Sequence, residues 1–451
     1  MAPSSRRYGR LHHRRRSLVI AFGKQLMITA QDAPRRENLF TAIAGYISGH
    51  AWLPSEWHHL GWLAVAGLVA VQQIDLRRTI VKALRSPGIL FAGLFLTWMT
   101  LRSVSNAAFA TPHPIEEMMR GLIGIALLIL LVILLLEISD DVAMIRRIGK
   151  VSGAITATAA AASIILYNFV LTGHILGERL SNIFVHGGQN PVCAGLIFGF
   201  NGLWLCQNLE NEPQQRSKTL LWIAATVLHC ATFLTGSRGA MLSLLVGHLV
   251  LCFVRGWRRG WPVMVMFTVV ASTYLIAARN FVGASRGTSL AGEVISRGDN
   301  GRFEIYAAGW KSLVESDAFI IGIGEWGTGP KWAQHLPPDP SGLMHHLHSV
   351  IISTGVHGGL IGLALAGIVF FCAANSAWKV RKTQPDLIAL LGYGAAGLSV
   401  DGQTLCSLAS LPRFEGLLFW VPVILALRAT LVEIRGFEPL TFSLRTRRST
   451  N

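Results

Sequence analysis

The chain has 451 residues, of which 51% are apolar and only 14% charged, with a formal net charge of +16. Soluble domains carry about 25% charged residues, so a mean hydropathy of +0.46 and recurring apolar stretches of near-spanning length exclude a soluble globular enzyme. The basic excess alone would suit a nucleic-acid binder, but Lys and Arg sit in short clusters between apolar runs. That is the pattern of cytoplasmic loops under the positive-inside rule, and nucleic acid is not expected as a partner.

Residues 1–38 form a basic N-terminal tail, read as disordered and cytoplasmic. Its one apolar run, Leu18 to Phe22, is too short for a signal-peptide core, and Met27 is an alternative start. Nine candidate membrane spans follow, at 39–54, 58–75, 87–102, 118–137, 151–172, 190–207, 219–235, 239–255 and 262–279. Three more, at 349–373, 386–401 and 414–431, precede a basic tail at 432–451. The fold class is therefore all-α: a polytopic bundle of about twelve transmembrane helices.

Twelve spans place every basic cluster on one side: Arg77-Arg78-Lys82-Arg85, Arg146-Arg147-Lys150, Arg216-Lys218, Arg255-Arg258-Arg259, Lys379-Arg381-Lys382 and both tails. Both termini are then cytoplasmic. The opposite side receives the segments near 103–117, 173–189 and 402–413, the Gly236–Gly239 hinge and the long segment 280–348. Only 280–348 is large enough to fold outside the membrane. Within it, residues 302–315 place Phe303, Ala307, Trp310, Leu313 and Val314 at helical spacing. This predicts an amphipathic helix lying on the membrane or capping the bundle, ended by the glycine-rich run Gly322–Pro330.

The six cysteines form no CxxC pair and are read as packing residues. No inverted repeat of the transporter kind is visible, and few ionisable residues lie deep in spans. His229 and His248 are the clearest, read as satisfied buried histidines.

Arginine is scarce in outward loops, so each one there needs a reason. Arg238 sits in the tight Gly236-Ser237-Arg238-Gly239 turn. It can snorkel to a lipid phosphate or bind a diphosphate bidentately, and its position alone leaves both open. Arg302 opens the amphipathic helix, and Arg179 lies in the 173–189 segment; each alone reads as a structural charge. His335, His345, His346, His348 and His357 cluster, but the nearest carboxylate, Asp339, makes a poor ligand set. Neither metal nor cofactor is expected. His348, where the chain re-enters the membrane, can act as a general base without one.

Three segments taken together resemble the bacterial O-antigen ligase and O-antigen polymerase superfamily of membrane glycosyltransferases. The first is Thr-Gly-Ser-Arg-Gly-Ala at 235–240. The second is the helix from Gly301-Arg302 running into Gly322-Ile323-Gly324. The third is His348-Ser349 followed by Gly359-Leu360-Ile361-Gly362, similar to the ligase pattern of His-(Asn, Ser or Gln) and Gly-x-x-Gly. The resemblance covers roughly 175–375 and is closest to the ligases. It implies transfer of a glycan from undecaprenyl diphosphate to lipid A-core on the periplasmic face of the inner membrane. The family's essential histidine maps onto His348 and its arginines onto Arg238 and Arg302. Arg179 is a further carry-over, with Ser237 and Ser349 as adjacent substrate contacts. The resemblance also admits an O-antigen or exopolysaccharide polymerase, or a protein O-oligosaccharyltransferase. A lipid or polysaccharide transporter is the rival from another class.

Overall fold

The computed structural model describes residues 34–110, 114–171, 179–185, 190–209, 212–280, 301–326, 347–402 and 414–436. The two tails up to residue 33 and from 437, most of segment 280–348, and His335, Asp339, His345 and His346 lie outside the described residues.

Among the described residues the chain is helical and has no strand. In order, the helices are α1 (34–52), α2 (Glu56–Val71), α3 (Leu76–Leu84), α4 (Pro87–Ala110), α5 (Pro114–Ile138), α6 (Val142–Ile165), α7 (Pro191–Asn208), α8 (Gln215–Leu234) and α9 (Arg238–Arg255). They continue with α10 (Trp257–Asn280), α11 (Arg302–Glu315), α12 (Val350–Lys379), α13 (Pro385–Asp401) and α14 (Val421–Gly436). Each of the twelve predicted spans coincides with a helix. Seven of these are long and apolar enough to cross a membrane: α4, α5, α6, α8, α9, α10 and α12. Trp57–Val71 and Gly416–Arg428 are apolar but shorter.

Two boundaries differ from the sequence reading. Helix α1 starts at 34, inside the predicted tail, because Arg35 and Arg36 are anchored to Glu137 and Asp141. The basic cluster at 77–85, read as a loop, is largely helix α3. It leaves Leu76, Ile80, Val81 and Leu84 exposed along one side, as an interfacial helix does.

Helix α7 is the axis of the bundle, with every residue from Ala194 to Asn208 buried. A helix apolar all round belongs in the interior. Its neighbours approach through glycine: Gly149 and Gly153 of α6 lie against Trp204 and Leu205, and Gly247 of α9 lies against Leu203. Without water to drive helices together in lipid, close packing at small residues is the main adhesive. Outward, Leu94, Phe253, Val269, Ile276 and Phe371 are exposed on the long helices. Apolar surface on this scale is at home against lipid tails, not water.

Charges collect at one end of the bundle. Arg147 pairs with Glu37 at 2.6 Å, Lys150 with Glu212 at 2.5 Å, and Arg428 with Asp140 at 3.2 Å. Arg255 and Asp386 stand 4.0 Å apart at the same end. The starts of α9 and α12, the end of α13 and helix α11 lie at the other.

Candidate active site

The hinge between α8 and α9 is a tight cap. Ser237 Oγ accepts the Ala240 N–H at 3.2 Å, which starts α9 at Arg238. A serine in this position satisfies an otherwise orphaned helix N–H. Residues 179–182 run alongside: Leu180 N–H donates to Leu234 O at 2.9 Å, and Arg179 Nε donates to Thr235 O at 2.7 Å. Arg179, weakly indicated in sequence, is thus brought to the hinge that carries Arg238.

Helix α11 supplies the opposing wall. Arg302 and Tyr306 are four residues apart and share a face. Arg302 donates to Asp401 Oδ1 at 2.5 Å, and Tyr306 OH donates to the His348 carbonyl at 3.2 Å. Of the apolar stripe predicted for α11, Leu313 packs on the protein. Phe303, Trp310 and Val314 are exposed, while Ile305, Ala308, Gly309, Ser312 and Leu313 are buried. Gly309 lets Leu347 approach closely. The helix thus has apolar residues on two sides, and the exposed stripe suits the expected helix lying on a membrane.

His348 follows directly. Its backbone lies in the left-handed region at φ +50°, uncommon for a residue with a Cβ and characteristic of sites held in place by their surroundings. Ser349 then caps α12 by accepting the Ile352 N–H at 3.5 Å. Ser237 and Ser349 are both buried caps, so each orients the functional residue beside it.

The residue missed in sequence is Asp401, the last of α13. Its side chain is 2% exposed. The charges of Arg302, Arg179 and Arg238 all bear on it, and Gly239 has no Cβ, which leaves room for its Oδ2. That Oδ2 has no hydrogen-bond partner among the described residues. Three guanidiniums around one carboxylate leave a local excess of positive charge, suited to an anion with several oxygens.

The site is braced from behind. Helix α12 breaks at Gly359, where φ is +65° and ψ −166°. The Gly322-Ile323-Gly324 turn docks into the break. Ile323 and Gly324 donate to Val356 O and His357 O, both at 2.9 Å, and Leu360 and Ile361 donate to Phe319 O and Ile320 O at 3.1 and 3.2 Å. Trp98 Nε1 takes the remaining carbonyl, Gly358 O, at 2.8 Å. Arg102 in α4 holds the turn through Ile321 O and Gly322 O at 3.1 and 2.7 Å. These bonds give partners to Val356 O, His357 O, Gly358 O and the Leu360 and Ile361 N–H groups beside the break.

Burial holds the His348 imidazole below its ordinary value, and the nearby Arg302 charge pushes the same way. Were His348 the base of a transfer reaction it would act in its neutral form, and the acid limb of that activity would fall below about pH 6.5. Arg302→Gln removes a positive charge and should move that limb upward. A limb above the ordinary histidine value, unmoved by the substitution, would count against His348 as the base.

Residues 220–367 match a family model described as O-antigen ligase. The matched segment contains Ser237, Arg238, Arg302, His348 and Ser349, and supports membership of the O-antigen ligase superfamily. No curated protein matches the chain. Seven helices long and apolar enough to cross a membrane suit a multi-pass membrane protein, and residues 220–367 make it similar to membrane glycosyltransferases of the O-antigen ligase type.

Proposed function

We propose, from that family match as premise, that the protein transfers O-antigen glycan from undecaprenyl diphosphate to lipid A-core on the periplasmic face of the bacterial inner membrane. The observation that carries this is the pairing of Arg302 with the buried Asp401 at 2.5 Å, with the hinge that carries Arg238 and holds Arg179 packed against the same carboxyl group at Gly239. A glycosyl diphosphate leaves as an anion whose charge grows as the glycosidic bond breaks, and preorganised guanidiniums stabilise that charge in the transition state. His348 takes the proton of the acceptor hydroxyl. Attack opposite the leaving group inverts the anomeric carbon, and the arginines make a metal unnecessary for departure. Ser237 and Ser349 act through the helices they cap.

Deleting the gene and resolving lipopolysaccharide on a gel tests the acceptor. A ligase mutant loses long chains from lipid A-core and retains them on the carrier. Core bearing a single repeat would identify a polymerase instead.

The donor assignment is tested by binding. A charge-assisted contact is worth roughly 1.5–3 kcal/mol, so Arg238→Ala or Arg302→Ala should weaken donor affinity about ten- to a hundredfold. Lysine should restore only part of it, lacking the planar fork. Wild-type donor affinity in both alanine variants would return these arginines to a membrane-anchoring role.

The periplasmic placement, with both termini cytoplasmic, rests on the positive-inside rule. In a background stripped of native cysteines, cysteine at the exposed Ser316 position should react with an impermeant thiol reagent in spheroplasts. Cysteine at the exposed Gln214 position should react only after lysis. The reverse pattern would overturn the orientation.

A further inference from the structure

Deeper in the bundle, Cys206 of α7, His229 of α8 and His248 of α9 meet. One ligand atom from each lies within 4.8 Å of the others, and all three residues are fully buried. His248 is ten residues beyond Arg238, about 15 Å along α9, so this cluster is separate from the site above.

The tautomers can be assigned from geometry. His229 Nδ1 lies 2.6 Å from Ala225 O. A carbonyl only accepts, so Nδ1 carries the hydrogen and Nε2 presents a lone pair. A backbone carbonyl orienting a ring in this way is the usual support of a metal-binding histidine. The lone pair faces His248 Nε2 at 2.7 Å, while His248 Nδ1 has no hydrogen-bond partner among the described residues. The pair is therefore not a closed hydrogen-bond network, and the sequence reading of two satisfied histidines holds for His229 alone.

We propose that Cys206, His229 and His248 form a buried site for one Cu(I) ion. Thiolate and imidazole are ligands that soft, monovalent copper prefers. Charge selects it further: one thiolate neutralises a monovalent cation, whereas a divalent ion would leave a net positive charge in the interior. On binding, the Cys206 S–H bond breaks, an S–Cu bond forms and the proton leaves to solvent. The His248 hydrogen moves from Nε2 to Nδ1, and no electron is transferred. Metal–nitrogen bonds of about 2.0–2.1 Å require the facing nitrogens to part by less than about 1 Å. The ion would tie α7 to the α8–α9 hairpin that presents Arg238.

The test uses full-length protein in detergent, loaded with Cu(I) under ascorbate and desalted. About one copper per chain should remain, with X-ray absorption reporting one sulfur and two nitrogens. Cys206→Ser should lose the copper, and Cys372→Ser, at a free cysteine outside the cluster, should keep it. Cu(I) should also raise the melting temperature of the wild type and not that of Cys206→Ser. Equal copper in Cys206→Ser and wild type, or a sulfur-only shell, overturns the assignment. Should Cys206→Ser fail to fold, the wild-type absorption spectrum alone decides between these outcomes.

Discussion

Replacing His348 by Asn is expected to abolish transfer while leaving a folded protein that still binds the lipid diphosphate. Asn is the choice because His348 sits at φ +50°, a conformation that Asn tolerates better than other non-glycine residues. The substitution therefore adds no backbone strain. The contact from Tyr306 is made to the His348 carbonyl, which Asn retains, and the Ser349 cap is a neighbouring residue's. What disappears is the imidazole, and with it a base able to take the acceptor proton at neutral pH. Loss of a positioned general base typically costs about 10²–10⁴-fold in rate. Single-turnover transfer measured beside donor binding separates the roles, because the proposed diphosphate contacts are arginines contributed by α9 and α11 and by residue 179. A variant that kept more than about a tenth of the wild-type rate would take the proton from His348 and give it to another group.

Much of this site was legible in sequence for one physical reason: charge is costly near lipid, so the few outward arginines had to be explained. That argument singled out Arg238 but left it open between a lipid phosphate and a diphosphate, while Arg302, a structural charge when read alone, took its expected role from the family resemblance. Asp401 was not singled out, although it is the carboxylate closing a predicted span. Its significance lies in which arginines surround it, and those come from segments far apart in the chain. The motif glycines also carried less meaning in sequence than in space. Gly322-Ile323-Gly324 read as a helix breaker and Gly359 only as part of a Gly-x-x-Gly motif, whereas the structure joins them backbone to backbone. For α11, periodicity identified the helix and its apolar stripe but not the second face, built from the smaller Ile305, Ala308 and Gly309. His229 and His248 each looked like an isolated interior imidazole, and no periodicity could reveal that they face each other from α8 and α9.

The junction between those glycines underlies the second large expected effect: Gly359→Ala should destabilise the protein by several kcal/mol and remove activity with it. The backbone there combines φ +65° with ψ −166°, a region essentially reserved for glycine, and forcing another residue into it costs about 1–3 kcal/mol. Space adds to strain. A Cβ at 359 would lie 2.3 Å from Ile320 O and 2.4 Å from Gly322 N. Both are backbone atoms of a turn itself held by Arg102, so neither can swing aside as a side chain end could. Relief requires the turn to retreat. That withdraws its donors from Val356 O and His357 O and its acceptors from the Leu360 and Ile361 N–H groups, each a buried group left unsatisfied at about 1–3 kcal/mol. The consequence reaches the chemistry because the same turn continues from α11, which carries Arg302 and Tyr306, and the same helix begins one residue after Ser349. Gly355→Ala is the matched control, four residues earlier in α12, where a Cβ meets nothing within 4 Å. Thermal unfolding in detergent and transfer activity should both separate the two variants. If Gly359→Ala melts and turns over like Gly355→Ala, the docked turn does not hold the site together, and Arg302 must be positioned by its pairing with Asp401 alone.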